Sequence, residues 1–417
     1  MAERYAQSQG LVEGLQIVNV RTIETAPDGI RLVVVKVETS YPELYGLGCA
    51  TFTQRPLAVV TAVEQYLKPF LLGRDPQAIE DIYAACYVSS YWRSGPVLNN
   101  ALSGIDMALW DLKGKLAGMP VYQLFGGKCR EAAALYAHAD GRDFQEVADG
   151  VRRFQEEGYR YVRAQISVPG YATYGAQIVP KADAGSAGPL PWDPKAYCRL
   201  VPKLFEYLRA NVDEEIELLH DVHERVPPID ALGLAKALEP YGLFFLEDPF
   251  APEDVGYLRL LRQQTAIPIA IGELFVNPAE YVPLIHDRLL DFIRVHLSAI
   301  GGLTPARKLA ALAEFFAVRT AWHGPGDVSP VGHAANLHLD LSTPNFGVQE
   351  RHVFSERTRE VFPGCPELRG GYLWCNDKPG LGVDVDEALA AKYPFPEDRL
   401  NGSWPEVRRA DGTVVRP

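Results

Sequence analysis

The chain has few of the features that mark secreted, membrane-bound or nucleic-acid-binding proteins. Its 417 residues include only six cysteines, none in a C-x-x-C pair and none at spacings typical of zinc sites. No run of about 18 apolar residues occurs, and the first ten residues are polar, so neither a transmembrane helix nor a signal peptide is predicted. The net charge of −12 argues against nucleic-acid and membrane partners. We therefore expect a cytoplasmic protein with free, mostly buried thiols.

A glycine-rich phosphate loop is also missing after the first strand of the alternating region. The residues there are His138-Ala139-Asp140-Gly141, which argues against an open nucleotide-binding sheet. From about residue 133 onward, short apolar runs alternate with helical patterns, which predicts an α/β fold with a (β/α)8 TIM-type barrel. The eight candidate strands lie at 134–138, 161–165, 216–221, 243–247, 267–273, 292–296, 319–323 and 346–350.

Three regions are predicted along the chain. Residues 1–127 form an N-terminal α+β capping domain, with β-rich segments at 30–39 and 47–52 and helical patterns at about 56–71, 76–91 and 97–117. Residues 128–380 form the barrel, and residues 381–417 form a tail that packs back on the cap. The connection from Ser167 to Pro194 is long and rich in proline, glycine and aromatic residues. Such a loop is either an active-site cover or disordered, and its aromatic residues favour a cover.

Three carboxylates end three of the candidate strands at equal intervals. Asp221, Glu247 and Glu273 are separated by 26 and 26 residues, and each follows an apolar run. Taken singly, such an acid is more often a helix cap or a salt-bridge partner. Three acids brought together would resist ionisation unless a cation balanced them, and oxygen ligands suit Mg²⁺. The spacing therefore predicts a Mg²⁺ site at the mouth of the barrel.

Candidate proton-transfer groups flank these acids. His223 lies two residues past Asp221, so an extended strand would turn both side chains towards the same pocket. An imidazole there suits a general acid or base, the alternative being an exposed loop histidine. Arg163 of the second strand could lower the pKa of Tyr174 in the following loop and make that phenol a usable base. Arg163 could equally bind a substrate carboxylate.

Further polar residues end the last three strands. Arg294 and His296 alternate with apolar neighbours in the sixth strand, and an arginine there suggests binding of an anion or a buried ion pair. His323 ends the seventh strand, and Asp327 in the turn after it could orient His323 or bind a sugar hydroxyl. Glu350 ends the eighth strand. His220 is interpreted as structural.

The chain resembles the enolase superfamily over nearly its whole length, and within it the mannonate dehydratase group. The motifs that carry the resemblance are Arg163-Ala164-Gln165, Thr173-Tyr174-Gly175, Asp221-Val222-His223-Glu224, Glu247-Asp248-Pro249, His323-Gly324-Pro325-Gly326-Asp327 and the segment 345–350. The resemblance implies that Asp221, Glu247 and Glu273 bind Mg²⁺, that Tyr174 is the base assisted by Arg163, and that His223 is the acid. It also implies a set of substrate-binding residues, namely His138, Arg294, His323, Asp327 and Glu350, with Glu273 facing the same pocket.

The function expected from this resemblance is Mg²⁺-dependent dehydration of an aldonic acid, such as D-mannonate or D-gluconate, to a 2-keto-3-deoxy acid. A homo-oligomer is expected by analogy. One alternative is a racemase or cycloisomerase, although those relatives place a Lys-x-Lys pair where this chain has Arg163-Ala164-Gln165. Another is a weakly active or non-catalytic sugar-acid-binding homologue with a regulatory role. Thr53 in place of an asparagine, Pro325, and the divergent residues 411–417 motivate that alternative.

Overall fold

The computed structural model describes residues 14–168, 170, 191–398, 404 and 406–416. The chain begins with an antiparallel sheet in the order β1-β2-β3. Its strands are β1 Ile17–Thr25, β2 Leu32–Thr39 and β3 Tyr45–Cys49. In β2, Val33, Val34 and Val35 are all fully buried, so this strand is covered on both faces.

Helices cover this sheet and connect it to the rest of the molecule. They are α1 Pro56–Thr61, a π-helical turn Ala62–Leu67, α2 Lys68–Leu71, α3 Ile79–Val88, α4 Pro96–Ala117 and α5 Val121–Leu124. The helical patterns predicted at 56–71, 76–91 and 97–117 fall on these elements. Helix α4 begins at a proline, whose fixed φ suits a first helical turn, and ends at Gly118 in the left-handed conformation with φ 66°.

Helix α4 packs tightly against β3. A Cβ on Gly46 would lie 1.8 Å from the carbonyl oxygen of Ala108, and one on Gly48 would lie 2.0 Å from that of Gly104. Only glycine permits so close an approach of the two backbones. The other side of α4 faces the barrel, because Trp110 Nε1 donates to Thr304 Oγ1 at 2.9 Å. This one helix therefore fixes the cap relative to the barrel.

Eight parallel strands follow, and they close on themselves. They are β4 Ala133–Gly141, β5 Tyr161–Ile166, β6 Glu217–Asp221, β7 Phe245–Glu247, β8 Ile269–Ile271, β9 Phe292–Ile293, β10 Arg319–Thr320 and β11 Gln349–Glu350. Strands β4 to β10 pair in chain order, β11 pairs with β4, and a parallel bridge joins Thr320 to Phe346. The predicted TIM-type barrel with an N-terminal cap is confirmed.

The strand bounds differ from those predicted at several ends. Strand β4 continues to Gly141 rather than ending at His138, so Asp140 lies within it rather than after it. Strand β9 is only two residues long, and Arg294 and His296 follow it. The backbone N–H of Arg294 still donates to the carbonyl of Ile271 at 3.0 Å, which keeps the arginine in line with its strand.

Helices surround the barrel in the alternation that the sequence predicts. They are α6 Phe144–Glu156, α7 Pro194–Asn211, α8 Pro228–Leu238, α9 Tyr257–Gln264, α10 Pro278–His286, α11 Leu303–Phe315 and α12 Pro330–Ser342. In α6, Val147, Val151 and Phe154 are buried at helical spacing, and the side chain of Asp143 caps the first turn. Short 3-10 helices lie at Glu239–Tyr241 and Pro252–Asp254.

A layer of apolar side chains fills the barrel interior. It consists of Tyr136, Leu219, Phe245, Ala270, Phe292, Ala321 and Val348, all at most 4 % exposed. Seven of the eight strands, or their immediate flanks, contribute to this layer. Because side chains alternate along a strand, the next inward positions lie one layer higher, at the carboxyl ends where barrel enzymes carry their sites.

The tail divides between the cap and the barrel mouth. The segment before the tail contains α13 Glu356–Val361, β12 Glu367–Arg369 and β13 Tyr372–Trp374. The tail itself contains α14 Glu387–Ala390, β14 Val407–Arg408 and β15 Val414–Val415. Glu387 pairs with Lys36 of the cap at 2.8 Å. Arg416 instead pairs with Asp254 of the barrel at 2.7 Å. Residues 406–416 therefore lie on the barrel, whereas the sequence predicts that the whole tail lies on the cap.

Two further expectations from the sequence concern membrane-spanning helices and the burial of the cysteines. Within the described ranges, no helix is long and apolar enough to cross a bilayer. All six cysteines are free thiols, but only Cys49 and Cys86 are buried, so the expectation of mostly buried thiols is wrong.

Candidate active site

The carboxyl ends of the barrel strands bring charged and polar side chains together above the apolar layer. These are His138 from β4, Arg163 from β5, Asp221 from β6, Glu247 and Asp248 from β7, Glu273 after β8, Arg294 and His296 after β9, His323 after β10, and Glu350 from β11. Glu247 and Arg294 are fully buried, and Asp221 is 1 % exposed. Because water does not solvate these buried groups, their charges have to be compensated by one another.

One acidic cluster has the geometry of a cation site. Oxygen atoms of Asp221, Glu247 and Asp248 all lie within 4.8 Å of one another, which holds for no other three such residues in the described part of the chain. Asp221 and Glu247 are direct neighbours in the parallel pairing of β6 with β7. The cluster therefore arises from the strand register that the sequence predicts.

Three of the six carboxylate oxygens of this cluster have no hydrogen-bond donor among the described residues. Neither carboxylate oxygen of Glu247 accepts a hydrogen bond from the described residues, although Arg294 Nη2 lies 2.9 Å from Oε1. Oδ2 of Asp248 also has no donor among them, while its Oδ1 accepts from the N–H of Gly272 at 3.1 Å. Buried carboxylate oxygens without donors are the ligands that Mg²⁺ prefers, so these residues fit a hard divalent cation.

The electrostatics of the cluster lead to the same conclusion. Burial raises the pKa of Glu247 well above its ordinary value, against the opposing effect of Arg294. Burial also raises the pKa of Asp248 well above its ordinary value, with a further increase from Glu273. A divalent cation would reverse both shifts, because it favours the charged form of each carboxyl group.

Glu273 lies two residues past β8 and contacts three basic side chains. Its Oε2 accepts from Arg294 Nη1 at 2.9 Å and lies 3.4 Å from His323 Nε2, while its Oε1 lies 3.5 Å from His223 Nε2. Burial alone would raise the pKa of this carboxyl, but His323, His223 and Arg294 together lower it to about 2. Glu273 lies outside the group of three mutually close acids, so its role as a metal ligand stays a prediction.

Arg294 stands at the centre of the site. Its guanidinium contacts Glu247, Glu273 and Glu350 at 2.9, 2.9 and 2.8 Å, and Nη2 donates to the hydroxyl of Tyr136 at 2.6 Å. Of the two alternatives left open by the sequence, this geometry is that of a buried ion-pair network. A role in binding substrate stays a prediction.

Arg163 also contacts the acidic cluster. Its Nη1 donates to Asp221 Oδ2 at 3.1 Å and lies 3.7 Å from Glu247 Oε1, and its Nη2 lies 3.3 Å from His138 Nδ1. Burial lowers the pKa of His138 to about 4, and the neighbouring arginine adds to that effect. Tyr174, the predicted base, lies outside the described residues.

His223 reaches the site through an unusual backbone. Strand β6 ends at Asp221, and His223 and Glu224 have left-handed φ values of 52° and 59°. The N–H of His223 donates to Asp221 Oδ1 at 2.7 Å, which ties this turn to the acidic cluster. His223 is only 7 % exposed, so it is not an exposed loop histidine, and a left-handed turn replaces the expected continuation of the strand.

The orientation of His323 differs from the sequence expectation. Its Nδ1 lies 3.0 Å from Nδ1 of His296, so a second imidazole rather than Asp327 holds it. Asp327 is half-buried, and its Oδ1 has no partner among the described residues. Glu350 contacts both Arg294 and His138 Nε2, the latter at 3.2 Å.

Two residues of the site escape the sequence reasoning. Asp248 follows Glu247 directly in the motif Glu247-Asp248-Pro249. That motif could have indicated Asp248, but only its glutamate is interpreted as a metal ligand from the sequence. Trp404 of the tail lies with its ring 5.2 Å from that of His223, and Arg225 lies over the same indole at 5.7 Å. Nothing local in the sequence indicates that contact, because it joins residues 181 positions apart.

Two family models match the chain. One is described as the mandelate racemase / muconate lactonizing enzyme N-terminal domain, and it matches residues 16–126. The other is described as an enolase C-terminal domain-like family, and it matches residues 146–389. These two matches fall on the cap and on the barrel described above.

Similar proteins match along the whole chain. A D-galactonate dehydratase family member, RspA of Pantoea ananatis, is 56 % identical, and the match covers 97 % of this chain and 100 % of the relative. A D-galactonate dehydratase family member of Musicola paradisiaca is 57 % identical, with coverage of 97 % and 99 %.

Solved structures have the same fold. A crystal structure of an enolase from Pantoea ananatis, with bound D-gluconate and Mg, has a TM-score of 0.91 at 56 % identity and covers 97 % of this chain and 100 % of that one. A mandelate racemase/muconate lactonizing enzyme from Jannaschia has a TM-score of 0.79 at 25 % identity, with coverage of 92 % and 98 %.

Proposed function

The chain belongs to the enolase superfamily and, within it, to the D-galactonate dehydratase family, and from that premise we propose that this sugar-acid dehydratase acts on an aldonate. The reaction removes the C2 proton and the C3 hydroxyl, and the resulting enol becomes a 2-keto-3-deoxy acid. The observation that carries the proposal is the group of mutually close buried carboxylates, in which both oxygens of Glu247 lack a donor among the described residues, with His223 and Arg163 both in contact with Asp221.

Mg²⁺ is the cofactor, and Asp221, Glu247 and Glu273 would hold it. When bound, it supplies Lewis-acid stabilisation of the negative charge that develops on the substrate carboxylate, as in other enolase-superfamily sites. Asp248 lies within 4.8 Å of Asp221 and Glu247, so it would be a further candidate oxygen ligand or a partner that orients the ligands. The relative from Pantoea ananatis, which has Mg and D-gluconate bound, supports this assignment.

The proton at C2 would pass to Tyr174, assisted by Arg163. Arg163 is 1 % exposed and donates to Asp221 at 3.1 Å, so its positive charge is held next to the acidic cluster. A guanidinium near a phenol lowers the pKa of the phenol, so that a larger fraction is present as the phenolate and can accept the C2 proton.

The leaving hydroxyl would receive its proton from His223. Its imidazole Nε2 lies 3.5 Å from Glu273, and its backbone N–H donates to Asp221, so this acid lies beside the proposed metal ligands. The C3–O bond breaks as the proton arrives, and water leaves. His138, Arg294, His323, Asp327, Glu273 and Glu350 would contact the substrate or fix the residues that do.

The substrate is proposed to be an aldonate such as D-gluconate or D-mannonate. D-Gluconate bound to the relative from Pantoea ananatis supports the first of these. The relatives carry the name D-galactonate dehydratase family rather than mannonate dehydratase, so D-galactonate belongs in the same comparison. The proposal includes a symmetric homo-oligomer in the cytoplasm, which sedimentation of the purified protein and cell fractionation would test.

The test is an assay of keto-acid formation with Mg²⁺ on a panel of aldonates, with Tyr174→Phe as the variant without a base. We expect a 2-keto-3-deoxy product from at least one acid and none from the variant. Tight binding of an aldonate without turnover would instead support the regulatory homologue. Epimerisation without loss of water would support the racemase, and either result would contradict the dehydratase.

A further inference from the structure

Helix α4 of the cap carries a stripe of buried polar side chains where an apolar face would be expected. Asn99, Ser103, Asp106 and Trp110 recur at helical spacing and are at most 9 % exposed. Polar groups are costly to bury unless they are hydrogen-bonded, so this stripe should have partners across the interface. We infer that Asn99 is a positioning residue, which holds the barrel loops after β8 and β9 and thereby sets the position of Glu273 and the affinity of the site for Mg²⁺.

The side-chain amide of Asn99 joins the two loops directly. Its Nδ2 donates to the carbonyl oxygens of Val276 and Ala299, each at 2.7 Å. An amide nitrogen carries two hydrogen atoms, so these two bonds use its full donor capacity. Because both partners are carbonyls, which only accept, the orientation of the amide is fixed as well. One side chain of the cap therefore bridges the connections that follow two neighbouring barrel strands.

The loop after β8 carries Glu273 and is held at both of its ends. It consists of residues 272–277, between the last residue of β8 and the first residue of α10. At the helix end, Glu280 Oε2 accepts from the backbone N–H groups of Val276 and Asn277, at 2.7 and 2.8 Å. The carbonyl that Asn99 holds belongs to the same Val276, three residues past Glu273. A displacement of that carbonyl would therefore move the carboxylate as well.

The loop after β9 lies directly on helix α4. Asp106 Oδ2 accepts from the backbone N–H of Thr304 at 2.9 Å, where the loop enters α11. A Cβ on Gly302 would lie only 2.6 Å from the same Oδ2 atom. Asp106 therefore fixes the far end of this loop, while Asn99 holds the carbonyl of Ala299 nearer to the strand.

Asn99 can thus act on the metal site through the backbone of these loops. Glu273 is a Mg²⁺ ligand in the proposed function, and the inference rests on that assignment. Residues that orient metal ligands change metal affinity by about 10- to 100-fold when they are replaced. A residue that only docks the cap on the barrel would instead lower the stability of the whole fold and leave the Mg²⁺ affinity of the folded protein unchanged.

The neighbouring Asn100 provides a matched control. It is also 2 % exposed, but its Nδ2 donates within its own helix, to the carbonyl oxygen of Pro96 at 2.7 Å. Asn99→Asp and Asn100→Asp keep the shape of the side chain and bury the same new carboxyl group, yet only the first removes the amide from the barrel loops. Asn99→Ala and Asn100→Ala form a second pair that introduces no charge, in case an aspartate variant does not fold.

Two measurements are made on the full chain of each variant. Calorimetric titration with MgCl₂ gives the Kd for Mg²⁺. Hydrogen–deuterium exchange, followed on peptides that cover residues 272–277 and 296–302, reports whether the two loops are held independently of any catalytic activity. The unfolding midpoint of each variant shows how much of an effect is global.

We expect each Asn99 variant to have a Kd for Mg²⁺ about tenfold above that of its Asn100 counterpart, with faster amide exchange in both loops. Equal Mg²⁺ affinity within a folded pair would overturn the inference, whatever the unfolding midpoints. Asn99 variants that fail to fold where both Asn100 variants fold would also overturn it, because Asn99 would then serve the whole fold. A wild type that binds no Mg²⁺ would contradict the proposed function, and the exchange of the two loops would still decide whether Asn99 holds them.

Discussion

His223 is the residue whose loss should separate proton removal from loss of water. The proposed base is a different side chain, so His223→Asn keeps the C2 proton transfer but lacks the acid for the leaving hydroxyl. We expect keto-acid formation to fall by about 10²- to 10⁴-fold, as for other general acids. Exchange of the C2 hydrogen with solvent, followed by proton NMR in D₂O, should continue. Unchanged keto-acid formation in a folded variant, with His286→Asn as the matched control, would contradict the role of His223.

At the residue scale, the sequence predicts which groups meet but not what each one contacts. Asp221, Glu247, Arg163 and Arg294 could be predicted to lie together, because an apolar run that ends in a charge delivers that charge to one edge of the barrel. The partner of His323 could not, since Asp327 follows it closely in the sequence, whereas His296 lies 27 residues away and comes next to it only through the pairing of neighbouring strands. Only the register between β9 and β10 decides between them.

At the scale of elements, His220 of strand β6 contacts both helix α7 and strand β5. Its Nε2 lies 2.7 Å from the hydroxyl of Tyr197, and its Nδ1 lies 2.9 Å from the carbonyl oxygen of Ala164 on β5. Both contacts suit a neutral imidazole that donates through Nδ1 and accepts at Nε2. Burial lowers the pKa of His220 to about 4, which agrees with its interpretation as a structural residue.

The lowered pKa gives a pH dependence of defined sign. Because the pKa is about 6.5 in the unfolded chain and lower in the fold, the contribution of His220 to stability is complete above pH 6.5. It is lost as the pH falls towards 4, by about 3 kcal/mol in total for one such group. His220→Gln cannot ionise, so the difference in free energy of unfolding between wild type and variant should shrink as the pH falls. Urea unfolding at pH 7.5 and pH 4.5 measures that difference.

The control for this measurement is His286→Gln, which removes an exposed ring. A difference between wild type and His220→Gln that stays constant from pH 7.5 to pH 4.5 would show that His220 gains no proton in this range on unfolding. The comparison is made between variants because other buried groups titrate in the same interval, among them Asp140, whose pKa burial raises to about 6.

Element types were more predictable than element ends. The eight strands were predicted because parallel strands covered on both faces are continuous apolar runs. Their ends were not, because the ladder stops where the backbone turns, as at Gly272 with φ 138° after β8. The cover predicted for the connection from Ser167 to Pro194 stays a prediction, since most of that segment lies outside the described residues.

At the scale of the whole molecule, the site carries more negative than positive charge. Four buried carboxylates, Asp221, Glu247, Asp248 and Glu350, and the half-buried Glu273 face two guanidinium groups, Arg163 and Arg294. We expect Mg²⁺ to stabilise the fold, by about 2.7 kcal/mol at a hundredfold excess over its dissociation constant. Thermal unfolding with and without Mg²⁺, at an ionic strength matched with NaCl, measures this effect.

Glu247→Gln should lose most of that stabilisation, while Glu80→Gln on the surface should keep it. An unfolding midpoint that does not change with Mg²⁺ in the wild type would contradict a divalent site in the barrel mouth.

The division of the tail between cap and barrel also belongs to the scale of the whole molecule. It could not be predicted, because the contact of Arg416 with Asp254 joins distant parts of the chain that share no sequence pattern.

The left-handed backbone around the acidic cluster restricts which variants are informative. His223, Glu224 and Asp248 all have positive φ, a conformation that glycine, asparagine and aspartate adopt far more readily than β-branched residues. A saturation library at these positions would therefore rank substitutions largely by backbone tolerance. Valine or isoleucine would score poorly for reasons unrelated to proton transfer, and asparagine at position 223 reports on chemistry because the main chain accepts it.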